Sequence, residues 1–213
     1  MTTETTRRTK EPQFTHKNKL ILSEHGFTIA KLTGKSIREL IENGDLPISE
    51  YKISPDLISS DVLDERSRVS EVAYDLNHLF IPHSNKVSYE DQLSMIDEET
   101  KSLREHGVQG MKAYMVSIAD VAEIAAIELK HEPERRIFGQ KFVSDVYTRY
   151  PWVRTSTQSG VDAVIIGCDD LDLLSDTTDR GPEGEFRGIH IRNFPRASEK
   201  HSGLLVLRVF VPA

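Results

Sequence analysis

The chain reads as an α+β fold, with helices mainly in residues 36–131 and an antiparallel or mixed sheet mainly in residues 136–211. Three observations predict it. Up to residue 131, apolar residues recur every three or four positions in segments opened by serine caps. Beyond Pro133 the segments become short, β-branched and aromatic, punctuated by Gly, Pro, Ser and Asp. The composition, 38% hydrophobic and 29% charged over 213 residues, is that of a globular chain able to bury a core without staples.

Taken in order, residues 1–16 are polar and aperiodic, and they are expected to form a flexible tail because ordering them would bury little apolar surface. Residues 17–213 then form a single domain, since no Gly- or Pro-rich linker divides them. Leu20 to Leu22 suits a short strand. Ser36 opens a helix with Glu39 at capping-box spacing, Ile37, Leu40 and Ile41 make its apolar face, and Gly44 and Pro47 end it. Tyr51 to Asp64 reads as an ordered loop. For 69–81 the spacing of Val69, Val72, Ala73, Leu76, Leu79 and Phe80 favours helix over strand, although Asp75 and Asn77 prefer turns.

Ser88 with Asp91 caps the most regular helix, which Gly107 closes. Met111 to Val116 reads as a strand. Ser117 with Asp120 starts a further helix, apolar over most of its circumference and therefore expected to be nearly buried. Short strands are expected at 136–138, 146–150, 153–157, 163–166, 188–191 and 204–211.

The function classes narrow by charge and cysteine count. Thirty-four acids stand against 27 bases, a net charge of -7, which argues against a global grip on nucleic-acid phosphates. Cys168 is the lone cysteine, so no intramolecular disulfide and no Cys-rich zinc site can form. Its neighbours Asp169 and Asp170 disfavour the thiolate, which argues against cysteine nucleophile chemistry. With no apolar leader and no stretch of about 20 apolar residues, a cytoplasmic protein without membrane contact is expected. No cofactor motif is present.

Four constellations bear on chemistry. Asp169, Asp170 and Asp172 follow a strand and could ligate a divalent cation, but an acidic turn that stops a strand is the commoner meaning of such a cluster. Arg154, Thr155 and Ser156 before Gly160 could bind an anion, yet Thr-Ser-Thr is also ordinary strand material. His190, on an alternating strand beside Arg192, could serve a hydrolase or transferase as a base with Asp170 or Glu185 as its acid partner. His78 and His83 add no constellation to these: five apart across Pro82, they lack the i, i+4 spacing of a helical metal pair.

The fourth is SIRELIENGDLP, residues 36–47, which resembles the recognition-helix end of excisionase-type winged helix-turn-helix domains and would imply DNA binding. Glu39, Glu42 and Asp45 oppose that role. Nucleic acid is not the expected partner, and the routes open to it are this helix and the N-terminal tail. The leading expectation is a non-enzymatic protein that binds a protein partner or assembles with itself. The apolar run Leu204 to Val211, broken only by Arg208, needs cover on both faces, which assigns Leu205, Leu207, Val209 and Val211 to an interface in a homo-oligomer.

Overall fold

The computed structural model describes residues 12–46, 48, 53, 57, 61–85, 87–131, 142–143, 148–149, 152–160, 162–168, 189–194 and 204–213. It is an α+β fold with two four-stranded sheets. The elements run α1 (His16–Glu24), β1 (Thr28–Lys31), α2 (Ile37–Glu42), β2 (Glu71–Tyr74), α3 (Tyr89–Glu105), β3 (Met111–Ala113) and α4 (Ile118–His131). They continue with β4 (Phe142–Val143), β5 (Thr148–Arg149), β6 (Trp152–Ser159), β7 (Asp162–Cys168), β8 (Ile189–Phe194), β9 (Leu204–Leu205) and β10 (Val209–Pro212). Sheet one has the order β1-β2-β10-β3 and is antiparallel throughout. Sheet two has the order β8-β7-β6-β9, in which only β6 and β9 are parallel. Strands β4 and β5 pair with each other.

The three serine caps act as their spacing predicts. Ser36 and Glu39, Ser88 and Asp91, and Ser117 and Asp120 each exchange side-chain and backbone hydrogen bonds. At the other end of α3, Gly107 takes φ of 76° while Val108 N–H reaches the Leu103 carbonyl and Gly107 N–H that of Arg104, a Schellman close. Helix α4 is buried from Ile118 through Ala126. It packs on α2, β6 and β7, and its Glu128 meets the Tyr74 hydroxyl of sheet one, so it is covered from both sides.

Three local expectations change. Leu20 to Leu22 lie in α1 and not in a strand: Thr15 caps the helix, Leu22 turns inward and Leu20 stays half exposed, a helical and not an alternating pattern. The segment 69–81 forms strand β2 followed by a 3-10 turn, Leu76–His78. All four β2 residues are buried because β1 and β10 flank the strand and both its faces are covered, and a run buried on both faces mimics helical spacing. The polar tail ends earlier than residue 16. Phe14 is buried, its N–H donates to Glu71 Oε2 at 2.7 Å, and Lys19 Nζ meets Glu71 Oε1 at 2.8 Å.

The C-terminal run accounts for its own apolar character. Leu204 and Leu205 pair with β6 in sheet two, Leu207 bridges Phe80, and Val209 to Pro212 insert between β2 and β3 of sheet one. Leu207, Val209 and Val211 enter one buried cluster shared by both sheets, α2 and α4, while Val206 and Phe210 enter a second cluster under α1 and α3. The interface assigned to Leu205, Leu207, Val209 and Val211 is therefore corrected: all four are at most 2% exposed within a single chain and offer no surface to a partner.

Candidate functional site

One face of sheet one carries Ala73, Ala113 and Phe210, and α1 and α3 cover it. Phe210 pairs across the strands with Ala73 on one side and Ala113 on the other, so its ring stands clear of its lateral neighbours. Helix α3 presents Glu99, Ser102, Leu103 and His106 at i, i+3, i+4 and i+7, which is one helix face. The last turn of α1 brings Ile21 and Leu22, with His25 just after it. Between these walls lies a cleft of about 370 Å³. Its floor includes Phe27 and Phe210, whose rings are tilted by 57° with centroids 5.4 Å apart, together with Val108 and Met111.

Ionisable side chains from four segments line this apolar floor. Arg208 enters from the strand run: its Nε donates to Glu99 Oε2 at 2.8 Å, and its guanidinium carbon lies 5.9 Å from the Phe27 centroid and 5.5 Å from that of Phe210. The guanidinium is thus held by a charge-assisted hydrogen bond and by ring faces. The β2–β10 register, with Val209 opposite Tyr74, brings Asp75 beside Arg208. Asp75 Oδ1 accepts from Asn77 N–H at 2.8 Å, and Oδ2 stands 2.7 Å from His78 Nδ1. Burial disfavours the charged Asp75, but His78, the Asn77 N–H and Arg208 together outweigh it and hold the carboxyl below the usual range.

His106 Nδ1 lies 2.7 Å from the Ser102 carbonyl oxygen. For both His78 and His106 the Nδ1 partner accepts only, so Nδ1 carries a hydrogen, and Nε2 is an acceptor whenever the ring is neutral. The cleft therefore presents two imidazoles oriented through Nδ1, the Glu99 carboxylate and one anchored arginine. Among the described residues, no three His, Cys, Asp or Glu side chains stand close enough to share a metal ion.

The residues singled out from sequence fall elsewhere. Arg154, Thr155 and Ser156 lie inside β6 and do not form an anion-binding loop. Arg154 is fully buried against the Tyr89 ring, Thr155 Oγ1 donates to the Val164 carbonyl at 2.6 Å, and Ser156 N–H donates to that of Val116 at 2.8 Å. His190 lies in β8, opposite Gly167 in the register, with Arg192 opposite Ile165. Asp169, Asp170, Asp172 and Glu185 lie outside the described residues.

Helix α2 buries Ile37 and Leu40, and Glu39 and Arg38 are engaged by Arg66 and Asp64. Strand β1 precedes it where a helix-turn-helix needs a first helix, so the DNA-binding resemblance lacks its structural context. Among the described residues outside the cleft, the buried carboxylates of Glu71, Glu123 and Glu128 are tied up in structural contacts. Glu123 accepts from Thr33, Gly34 and Ser67, and so ties the loop after β1 to α4.

From sequence, His25, Glu99 and His106 do not stand out, and Asp75, His78 and Arg208 do so only as a turn former, a mis-spaced metal ligand and a break in an apolar run. Two signals pointed to them: Arg208 is the one charge in an apolar run, and Asp75 precedes His78 by three residues. Compared with protein-family models, with curated proteins and with solved structures, the chain matches none of them.

Proposed function

We propose that the chain is a non-enzymatic binding protein and that the cleft between α1, α3 and sheet one is its binding site. The observation that carries this reading is the meeting, in one cavity of about 370 Å³, of the Phe27 and Phe210 rings with ionisable side chains from four segments of the chain. An apolar floor with a few placed polar groups, at this volume, is the ordinary form of a small-molecule site. The binding class expected from sequence is kept, but its partner becomes a small molecule, because the strand that suggested a protein interface is consumed inside the chain.

Ser102 faces the cleft from the exposed side of α3, so Ser102→Trp should fill the mouth without disturbing the core. Ligand-observed NMR with a fragment collection is expected to find compounds that bind wild type saturably and lose binding to Ser102→Trp at an unchanged thermal midpoint. Equal binding to both proteins, or none to wild type, would overturn the reading.

One observation favours a second reading as an acid–base enzyme: Asp75 orients His78 through Nδ1 and leaves Nε2 as a proton acceptor whenever the ring is neutral. Turnover of a bound compound, lost in His78→Gln while binding persists, would establish it.

A further inference from the structure

We infer that the cleft takes a small organic cation, an ammonium group on a short apolar body; this rests on the cleft being the binding site. The charge of the lining points this way. Its ionisable residues are His25, Asp75, His78, Glu99, His106 and Arg208. Two carboxylates face one guanidinium, so apart from the imidazoles the formal charge of the lining is negative. Arg208 is drawn onto Glu99 through Nε and lies over the two phenyl rings, so an incoming carboxylate or phosphate would compete with Glu99 for it and be repelled by Asp75.

Hydrogen-bonding capacity points the same way. With Nδ1 turned to an acceptor, a neutral His78 or His106 offers Nε2 as an acceptor, and Glu99 Oε1 is a further acceptor in the lining. An ammonium group has three donors and no acceptor, so it complements such a set, whereas an anion brings only acceptors. Leu22, Leu103 and Met111 supply the apolar wall for the body of the molecule.

The test uses three probes of nearly equal shape: 2-phenylethylamine, 2-phenylethanol and 3-phenylpropionate, titrated calorimetrically into the full-length protein at neutral pH and low salt. The amine is expected to bind about tenfold or more tightly than the alcohol, and the carboxylate most weakly, because hydrogen bonds to charged groups add that much. Glu99→Gln and Asp75→Asn should each erase most of the amine's advantage while leaving alcohol binding in place; using both guards against one variant failing to fold. If the carboxylate bound best, or amine and alcohol bound alike, the inference would fall while the cleft remained a binding site. Binding of the amine that survives Ser102→Trp would place it outside the cleft and overturn both readings.

Discussion

The backbone N–H of Phe14 donates to Oε2 of Glu71 at 2.7 Å, joining two residues 57 positions apart and fastening the segment before α1 onto an inner strand of sheet one. Lys19 completes the pair of partners for that buried carboxylate. Phe14→Ala is therefore expected to cost about 3 kcal/mol, through lost burial and a residual void. Glu71→Ala should cost about 1–3 kcal/mol, because it strands the Phe14 N–H. Deleting residues 2–11 removes none of these contacts and should leave the thermal midpoint nearly unchanged, while deleting residues 2–16 should lower it sharply. Thermal denaturation of the four variants compares these outcomes.

Gly107 offers a test of backbone conformation alone. Its φ of 76° lies in the left-handed region, and a Cβ built there meets nothing within 4 Å. Gly107→Ala should thus destabilise by about 1 kcal/mol without a clash, and Gly107→Asn by less, since Asn tolerates this region. Urea midpoints measured at a constant m-value decide it. Equal stability of all three proteins would mean that the turn can relax away from this geometry.

What the sequence disclosed follows from the range of each interaction. Caps such as Ser36 with Glu39 and closing glycines such as Gly107 are contacts within a few residues, so their spacing alone reveals them. Strand β2 escaped because its burial comes from β1 and β10, both far from it along the chain. The apolar C-terminal run was legible as buried on both faces, but not as the segment that passes from sheet two to sheet one. The cleft was the least legible. His25, His78, His106 and Arg208 belong to four segments that only the antiparallel register and the placing of α1 and α3 bring together, and no local spacing encodes that meeting.

Acid should weaken the contact between α2 and α4 in a defined window. The Asp45 carboxyl, just past α2, is held below its usual range by hydrogen bonds from Lys130 of α4 at 2.6 Å and from Lys35 at 2.7 Å. A carboxyl lowered in the folded state binds fewer protons there than in the unfolded chain. Its contribution is whole above the unfolded pKa of about 3.9 and fades as pH falls through the folded value. Asp45→Asn should lower stability at neutral pH and flatten the stability profile below about pH 4 relative to wild type. Denaturant midpoints at pH 3, 4, 5 and 7 follow the difference; parallel profiles would show that the ion pairs carry no net stabilisation.

Val209 tests what the C-terminal run is for. It lies in β10, between β2 and β3, is 1% exposed, and belongs to the cluster shared by both sheets, α2 and α4. An aspartate there would place an unpaired carboxylate in an apolar interior, at a cost of several kcal/mol and comparable to the whole stability of a domain. Val209→Asp is accordingly expected to unfold the protein and expose it to aggregation. If the strand instead formed a boundary between subunits, the same change would yield a soluble, folded and smaller species. Circular dichroism with light scattering separates the two results. Phe210→Ala is a useful companion, because Phe210 points to the opposite face, under α1 and α3, and its ring forms part of the cleft floor. That variant should lose about 3–5 kcal/mol yet, if it folds, should change ligand binding as well as stability. A Val209→Asp protein that stayed folded at reduced mass would return the strand to the role of an interface, and the apolar run would then have to be covered by a second chain.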